Sequence, residues 1–317
     1  MVHVLLVSAR NAKLRFRATE QFKITYLKLE QMRKFLSFSF AVLSFFAIVS
    51  CTKESSQAVT SADIALAKSA NLVGRQQQIT IATGDYTYPT SQALLWLPTN
   101  YDKNTNSRFP LIIALDGVGE QGTDINLLFH TGTIAQHIAA GWNPAARNPV
   151  TGKLSKFIVF TPQCPIPNGW GWSCPHIKTM LGILKATYRI DTTRIYITGY
   201  SAGGWGMWSC VTDDTSLCKQ FSAIGPVSSA SADHPNNIPN VDKYGIACWS
   251  ICGLDDGFYT NSVTYTNIIN TNNPPIPALL TGLAGVGHSA WNQAYDTSWR
   301  VNNKNFFEWL LQYHKTK

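Results

Sequence analysis

A chain of 317 residues, 45% of them hydrophobic and only 14% charged, carries enough apolar side chains for one large buried core, which excludes a disordered or fibrous protein. The net charge of +8 invites a nucleic-acid reading, but +6 of it lies in residues 1–50, where eight Lys and Arg side chains face only Glu20 and Glu30. The near-neutral remainder has no basic cluster able to neutralise a row of phosphates, so nucleic acid is not an expected partner.

Residues 32–50 read as an export leader. Met32-Arg33-Lys34 is basic, residues 35–49 are uncharged with only Ser37, Ser39 and Ser44 interrupting the apolar run, and Ser50 supplies the small residue at the cut. The run is shorter than the roughly 20 residues a membrane span needs. Cys51 follows directly and resembles the lipobox cysteine of bacterial lipoproteins, whose thiol is lipidated and becomes the first mature residue. The expectation is a protein exported to the bacterial outer membrane or cell surface and held to the membrane through Cys51. Residues 1–31 are then an untranslated or non-native extension, with translation starting at Met32, and the Ser, Ala and Thr-rich residues 51–75 are a tether.

The folded domain is expected over residues 76–317, as a monomer. Strand-like runs at 78–82 and 93–97 flank the turn-rich 84–91 and predict a hairpin. Buried apolar runs follow at 111–115, 157–160, 195–197 and 246–251, the pattern of parallel strands covered on both faces. Between the second and third, Ile177, Met180, Leu181, Leu184 and Tyr188 recur at helical spacing, and 305–314 reads as a closing amphipathic helix. The fold class is α/β, a mostly parallel central sheet with helices on both faces.

The chemistry centres on Gly199-Tyr200-Ser201-Ala202-Gly203-Gly204, set between a strand at 194–198 and a helix-compatible stretch at 205–210. In a nucleophile elbow the serine sits on a strained strand-to-helix turn, and the flanking glycines avoid clashes with neighbouring strand and helix. A serine hydroxyl needs a base to take its proton and an acid to orient that base. His234 sits in a polar loop and His314 in the terminal helix, which leaves His288, in the late loop Gly285-Val286-Gly287-His288, as the base. Asp255 and Asp256 both follow the strand at 246–251, where catalytic groups of open α/β sheets gather, and either can be the acid. The oxyanion hole needs two backbone N–H groups: Ala202, next to the nucleophile, and Val118, in the glycine-rich loop Asp116-Gly117-Val118-Gly119.

Cys164, Cys174, Cys210, Cys218, Cys248 and Cys252 form an even set, which an exported protein can pair, with Cys164–Cys174 and Cys210–Cys218 the nearest neighbours along the chain. With no Cys-x-x-Cys or His-x-x-x-His spacing, neither a metal nor a cofactor is expected.

The stretch 110–124, Thr161-Pro162-Gln163-Cys164, Tyr188-Arg189-Ile190-Asp191, the run from Arg194 to Ser201, and Gly287-His288 with Trp291 resemble the α/β-hydrolase esterases of the feruloyl esterase and polyhydroxybutyrate-depolymerase-like group. In that group the acid stands three residues beyond a glycine closing its strand, which implies Asp256, counted from Gly253. The resemblance also implies an α/β-hydrolase fold and a substrate site drawing on Trp170, Trp172, Trp205, Trp291 and Gln163. Two departures stand out: Asp116-Gly117 where the group has His-Gly at the oxyanion loop, and Cys252-Gly253 where it has His-Gly before the acid. The function expected is a serine carboxylic-ester hydrolase acting on small-molecule or polysaccharide esters, feruloyl or acetyl. The alternatives are a prolyl-oligopeptidase-type peptidase, which would normally add a propeller for which the tether has no room, and a non-catalytic glycan-binding lipoprotein, which would have no reason to keep Ser201, Asp256 and His288 together.

Overall fold

The computed structural model describes residues 74–103, 105–167 and 171–316. The leader, Cys51, nearly all of the tether and Trp170 lie outside the described residues.

The expected hairpin is β1 (Gln76–Ala82) against β2 (Thr90–Trp96), antiparallel. Strand β3 (Phe109–Leu115) follows, then a separate two-stranded sheet of β4 (Ala145–Arg147) and β5 (Leu154–Lys156), then β6 (Ile158–Pro162) and β7 (Ile190–Ser201). Next come β8 (Ala223–Ser229), β9 (Ala247–Gly253) and β10 (Leu279–Leu283). The main sheet runs in the order β1-β2-β6-β3-β7-β8-β9-β10, with β2 antiparallel to both neighbours and every pair from β6 to β10 parallel.

Two strands of the main sheet had no signal in the apolar pattern. Strand β8 carries Gly225-Pro226 in its middle, and β10 is half exposed with Gly282 inside it. Each looks like a turn when read locally, and each is a strand because a neighbour supplies its ladder. The closing helix is shorter than the expected 305–314: it spans Phe306–Leu310, opened by a capping box in which Asn305 and Glu308 exchange hydrogen bonds.

The helices that matter for the site are α1 (Ile134–Ala139), α2 (Cys174–Thr187), α3 (Ala202–Thr212), α4 (Tyr259–Asn270), α5 (Trp291–Ala294) and α6 (Phe306–Leu310). Because successive side chains of a strand point to opposite faces, β3 divides its residues between two cores. Leu111, Ile113 and Leu115 meet Ile177, Met180 and Leu181 of α2 and Met207 and Trp208 of α3. Ile112 and Ala114 meet Ile134 and Ile138 of α1 and the aromatic side of α6. Covering both faces makes the central strands unbroken apolar runs, and their parallel direction brings the carboxyl ends of β3, β7, β8 and β9 to one edge of the sheet.

Candidate active site

Strand β7 runs directly into α3, and the turn falls on Ser201 at φ 54, ψ −121. A non-glycine residue with positive φ is strained, and here the strain lifts the serine side chain off the sheet edge. The surrounding glycines are steric necessities. A Cβ on Gly199 would lie 2.2 Å from the Gly203 carbonyl oxygen, one on Gly203 would lie 2.3 Å from the Leu115 carbonyl oxygen, and one on Gly204 would lie 2.2 Å from Ser229 Oγ. The motif spacing thus records how closely β7, α3, β8 and the loop after β3 approach one another.

Ser201 Oγ lies 2.8 Å from His288 Nε2, and His288 Nδ1 lies 3.1 Å from Asp256 Oδ2 and 3.2 Å from Oδ1. The His288 side chain is 41% exposed, whereas that of Asp256 is 2% exposed. Burial pushes the Asp256 carboxyl up. Hydrogen bonds from the Phe258 N–H at 3.0 Å, the Ser228 hydroxyl and His288 outweigh burial and hold the group below its ordinary value, so it is ionised. The Cys252 thiol, pushed up to about 11 chiefly by burial and so neutral, also donates to Asp256 Oδ2 at 3.6 Å. Asp255 faces solvent, and its backbone N–H is held by the Val286 carbonyl. Of the two adjacent acids, the structure therefore brings Asp256 to His288. An ionised, buried acid on Nδ1 sets the tautomer in which Nε2 can accept the Ser201 proton.

The loop after β3 folds over the start of α3. Val118 opens a 3-10 turn (Val118–Glu120) and is partly exposed at the rim, while Ala202 is the first residue of α3, where backbone N–H groups have no partner inside the helix. Asp116, the departure from the resembling group, is fully buried beneath this loop. Burial, reinforced by the nearby Glu120 charge, pushes its carboxyl well above the ordinary value, toward the neutral form. Glu120 is itself buried beside Tyr200, the residue before Ser201; burial together with the Glu120 and Asp116 charges pushes the Tyr200 hydroxyl well above its ordinary value, so it keeps its proton.

Two of the expected substrate contacts, Gln163 and Trp172, are buried as supports of the loop after β3. Gln163 is completely buried, and its amide donates to the carbonyls of Glu120 at 2.8 Å and Asp124 at 2.7 Å, holding the loop after β3. Trp172 is 3% exposed, donates from Nε1 to the Asp116 carbonyl at 3.0 Å and packs so tightly on Gly206 that a Cβ there would meet it at 2.4 Å. Trp205 is half-buried against the core beneath α3. Trp291 is buried but does border the site: it contacts the rings of Tyr200 and His288, and its Nε1 donates to the Thr131 carbonyl. Large aromatic and amide side chains beside a glycine-rich loop support that loop as readily as they bind a ligand, and only burial separates the two roles.

The cysteine pairing also differs from expectation. All six body cysteines are buried free thiols, and Cys174, at the start of α2, hydrogen-bonds to Cys210 in α3 rather than pairing with Cys164. Residues near in sequence are separated here by the turn between elements, while two facing helices bring distant thiols together. Phe258 was missed from sequence. Its ring meets the edge of the His288 ring at 5.3 Å between centroids, and its place two residues beyond Asp256 was the available signal.

No protein-family model matches the chain, and no curated protein does. Among solved structures the chain is similar to a thermostable esterase, with 22% identity and a TM-score of 0.58 over 77% of this chain; it spans 64% of that esterase's length. It is also similar to the S-formylglutathione hydrolase FrmB of Staphylococcus aureus, with 12% identity and a TM-score of 0.53 over 75% of this chain and 98% of that one. A third is the feruloyl esterase module of Clostridium thermocellum, with 15% identity and a TM-score of 0.52 over 71% of this chain and 87% of that one. Strand order, the antiparallel β2 and these neighbours agree: the chain has the α/β-hydrolase fold.

Proposed function

We propose that the chain is a serine carboxylic-ester hydrolase working through an acyl-enzyme on Ser201. The observation that carries this reading is the single hydrogen-bonded run from Ser201 through His288 to Asp256, set on a strained turn at the carboxyl edge of the sheet. In the first half-reaction His288 Nε2 takes the Ser201 proton as Oγ adds to the ester carbonyl. The amides of Ala202 and Val118 receive the oxyanion, and His288 returns its proton to the departing alcohol, leaving Ser201 acylated. In the second, His288 deprotonates a water that adds to the acyl carbonyl, and collapse releases the carboxylic acid and restores the Ser201 hydroxyl.

The substrate class we favour is a feruloyl or acetyl ester, including esters on polysaccharides. Two aromatic rings, Phe258 and Trp291, meet the edge of the base, which suits a flat acyl group, and the structurally similar Clostridium thermocellum module is a feruloyl esterase complexed with sinapinate. We place the activity at a bacterial cell surface, on the strength of the leader at 32–50 and the lipobox-like Cys51. The test is hydrolysis of p-nitrophenyl acetate, methyl ferulate and acetylated xylan by the wild type and Ser201→Ala, with fluorophosphonate labelling at Ser201. Loss of roughly 10⁴-fold or more in Ser201→Ala is expected, and retention of more than a few per cent of turnover would remove Ser201 from the mechanism.

A further inference from the structure

We propose that Ser228 is a positioning residue for the Asp256–His288 pair, its hydroxyl tying together the two loops that carry them. The inference rests on the hydrolytic reading above. Strands β7 and β8 pair in step from Tyr196 with Ala223 to Tyr200 with Val227, then slip, so that Ser201 pairs with Ser229. Ser228 is the residue left over. The bulge holds it at φ 41, in the left-handed region where glycine is the unstrained occupant.

Ser228 is also completely buried. A polar side chain in a strained, dry position needs partners, and this hydroxyl has them on both sides of the site. Its oxygen accepts the Ala290 N–H at 3.3 Å, two residues beyond His288, and its hydroxyl lies beside the Asp256 carboxylate, which it helps to hold below the ordinary value. The other titratable groups facing Asp256 are His288 and the Cys252 thiol, which also neighbours Ser228. That thiol is pushed up by burial and stays neutral, so of these two neighbours of the hydroxyl Asp256 is the charged acceptor. One side chain thus links the acid after β9 to the loop that presents the base, and it does so from the strand paired with the nucleophile's own. The bulge aims the hydroxyl, and because it follows the Tyr200–Ser201 step it ties elbow and acid into one geometry.

Ser228→Gly separates strain from chemistry, because glycine keeps the left-handed backbone and deletes only the hydroxymethyl group. The variant is expected to melt at or above the wild-type temperature. Its kcat for p-nitrophenyl acetate should fall roughly 10-fold with KM unchanged, the scale of one lost hydrogen bond to a charged group. In carbon-detected NMR, its Asp256 carboxyl should titrate at a higher pH than in the wild type. Ser228→Ala should show the same loss of kcat and the same displaced titration while retaining the strained Cβ. Wild-type kcat in Ser228→Gly, or an unmoved Asp256 titration, overturns the proposal. The titration is read without substrate, so it reports on the Ser228 contact whether or not Ser201 is the nucleophile, which Ser201→Ala decides separately.

Discussion

Asp256→Asn isolates what the acid contributes, because the change is isosteric and removes only charge and acceptor character. The amide nitrogen, placed against His288 Nδ1, favours the tautomer in which Nδ1 accepts and Nε2 carries the proton, and such an imidazole cannot take the proton of Ser201. The electrostatic part follows from the geometry. At the 3.1 Å separation of Nδ1 and Oδ2, an imidazolium and a carboxylate in an effective dielectric of about 20 attract by roughly 5 kcal/mol. His288 is 41% exposed, and solvent screening takes away up to about half of that. What is left corresponds to a loss of roughly 10²–10⁴ in kcat. Asp255→Asn is the internal control, since Asp255 points to solvent and its backbone N–H holds Val286 whatever the side chain. Initial rates on p-nitrophenyl acetate across pH 5–9, with melting temperatures for both variants, decide the matter. An Asp256→Asn enzyme within threefold of wild type, or an equal loss in Asp255→Asn, would refute the assignment.

Gly203→Ala places a Cβ 2.3 Å from the Leu115 carbonyl oxygen and 2.6 Å from that of Asp116, forcing the oxyanion loop outward. The expected cost is roughly 10²-fold in kcat, the scale of one lost oxyanion donor, accompanied by a lower Tm. Asp116 holds its proton in the folded protein at pH values where the unfolded chain, with a carboxyl near about 3.9, has released it, so the wild type loses stability as pH rises above that value. Asp116→Asn removes this loss: its Tm should match the wild type near pH 4 and exceed it by a few degrees at pH 8, as scanning calorimetry would show, and a constant difference across pH would contradict the burial argument. Oxidation of the purified protein by a dithiol oxidant, followed by non-reducing peptide mapping, should give Cys174–Cys210 as the first bridge; Cys164–Cys174 appearing first would contradict the packing of α2 on α3.

The sequence by itself determined the parts of this protein that local chemistry controls. The elbow was legible because every glycine around Ser201 is required within six residues of it, and the central strands were legible because burial on both faces removes polar residues from them. His288 could be chosen because its rivals occupy a polar loop and the terminal helix. The tertiary structure decided everything that depends on what lies across the sheet. Asp255 and Asp256 differ only in which way the chain turns after β9, and no pattern of hydrophobicity distinguishes neighbours on a turn. Strand β8 is held by β7 and β9 despite Gly225-Pro226, so Ser228 and the slip that aims it were invisible until the strands were paired. Gln163 and Trp172 have the composition of a binding surface and became supports once burial placed them beneath the loop after β3. Cys174 and Cys210 stand 36 positions apart in the chain, and only the packing of two helices makes them neighbours. Short-range sterics leave a mark in sequence, whereas the side of a loop that meets the core is a property of the assembled fold.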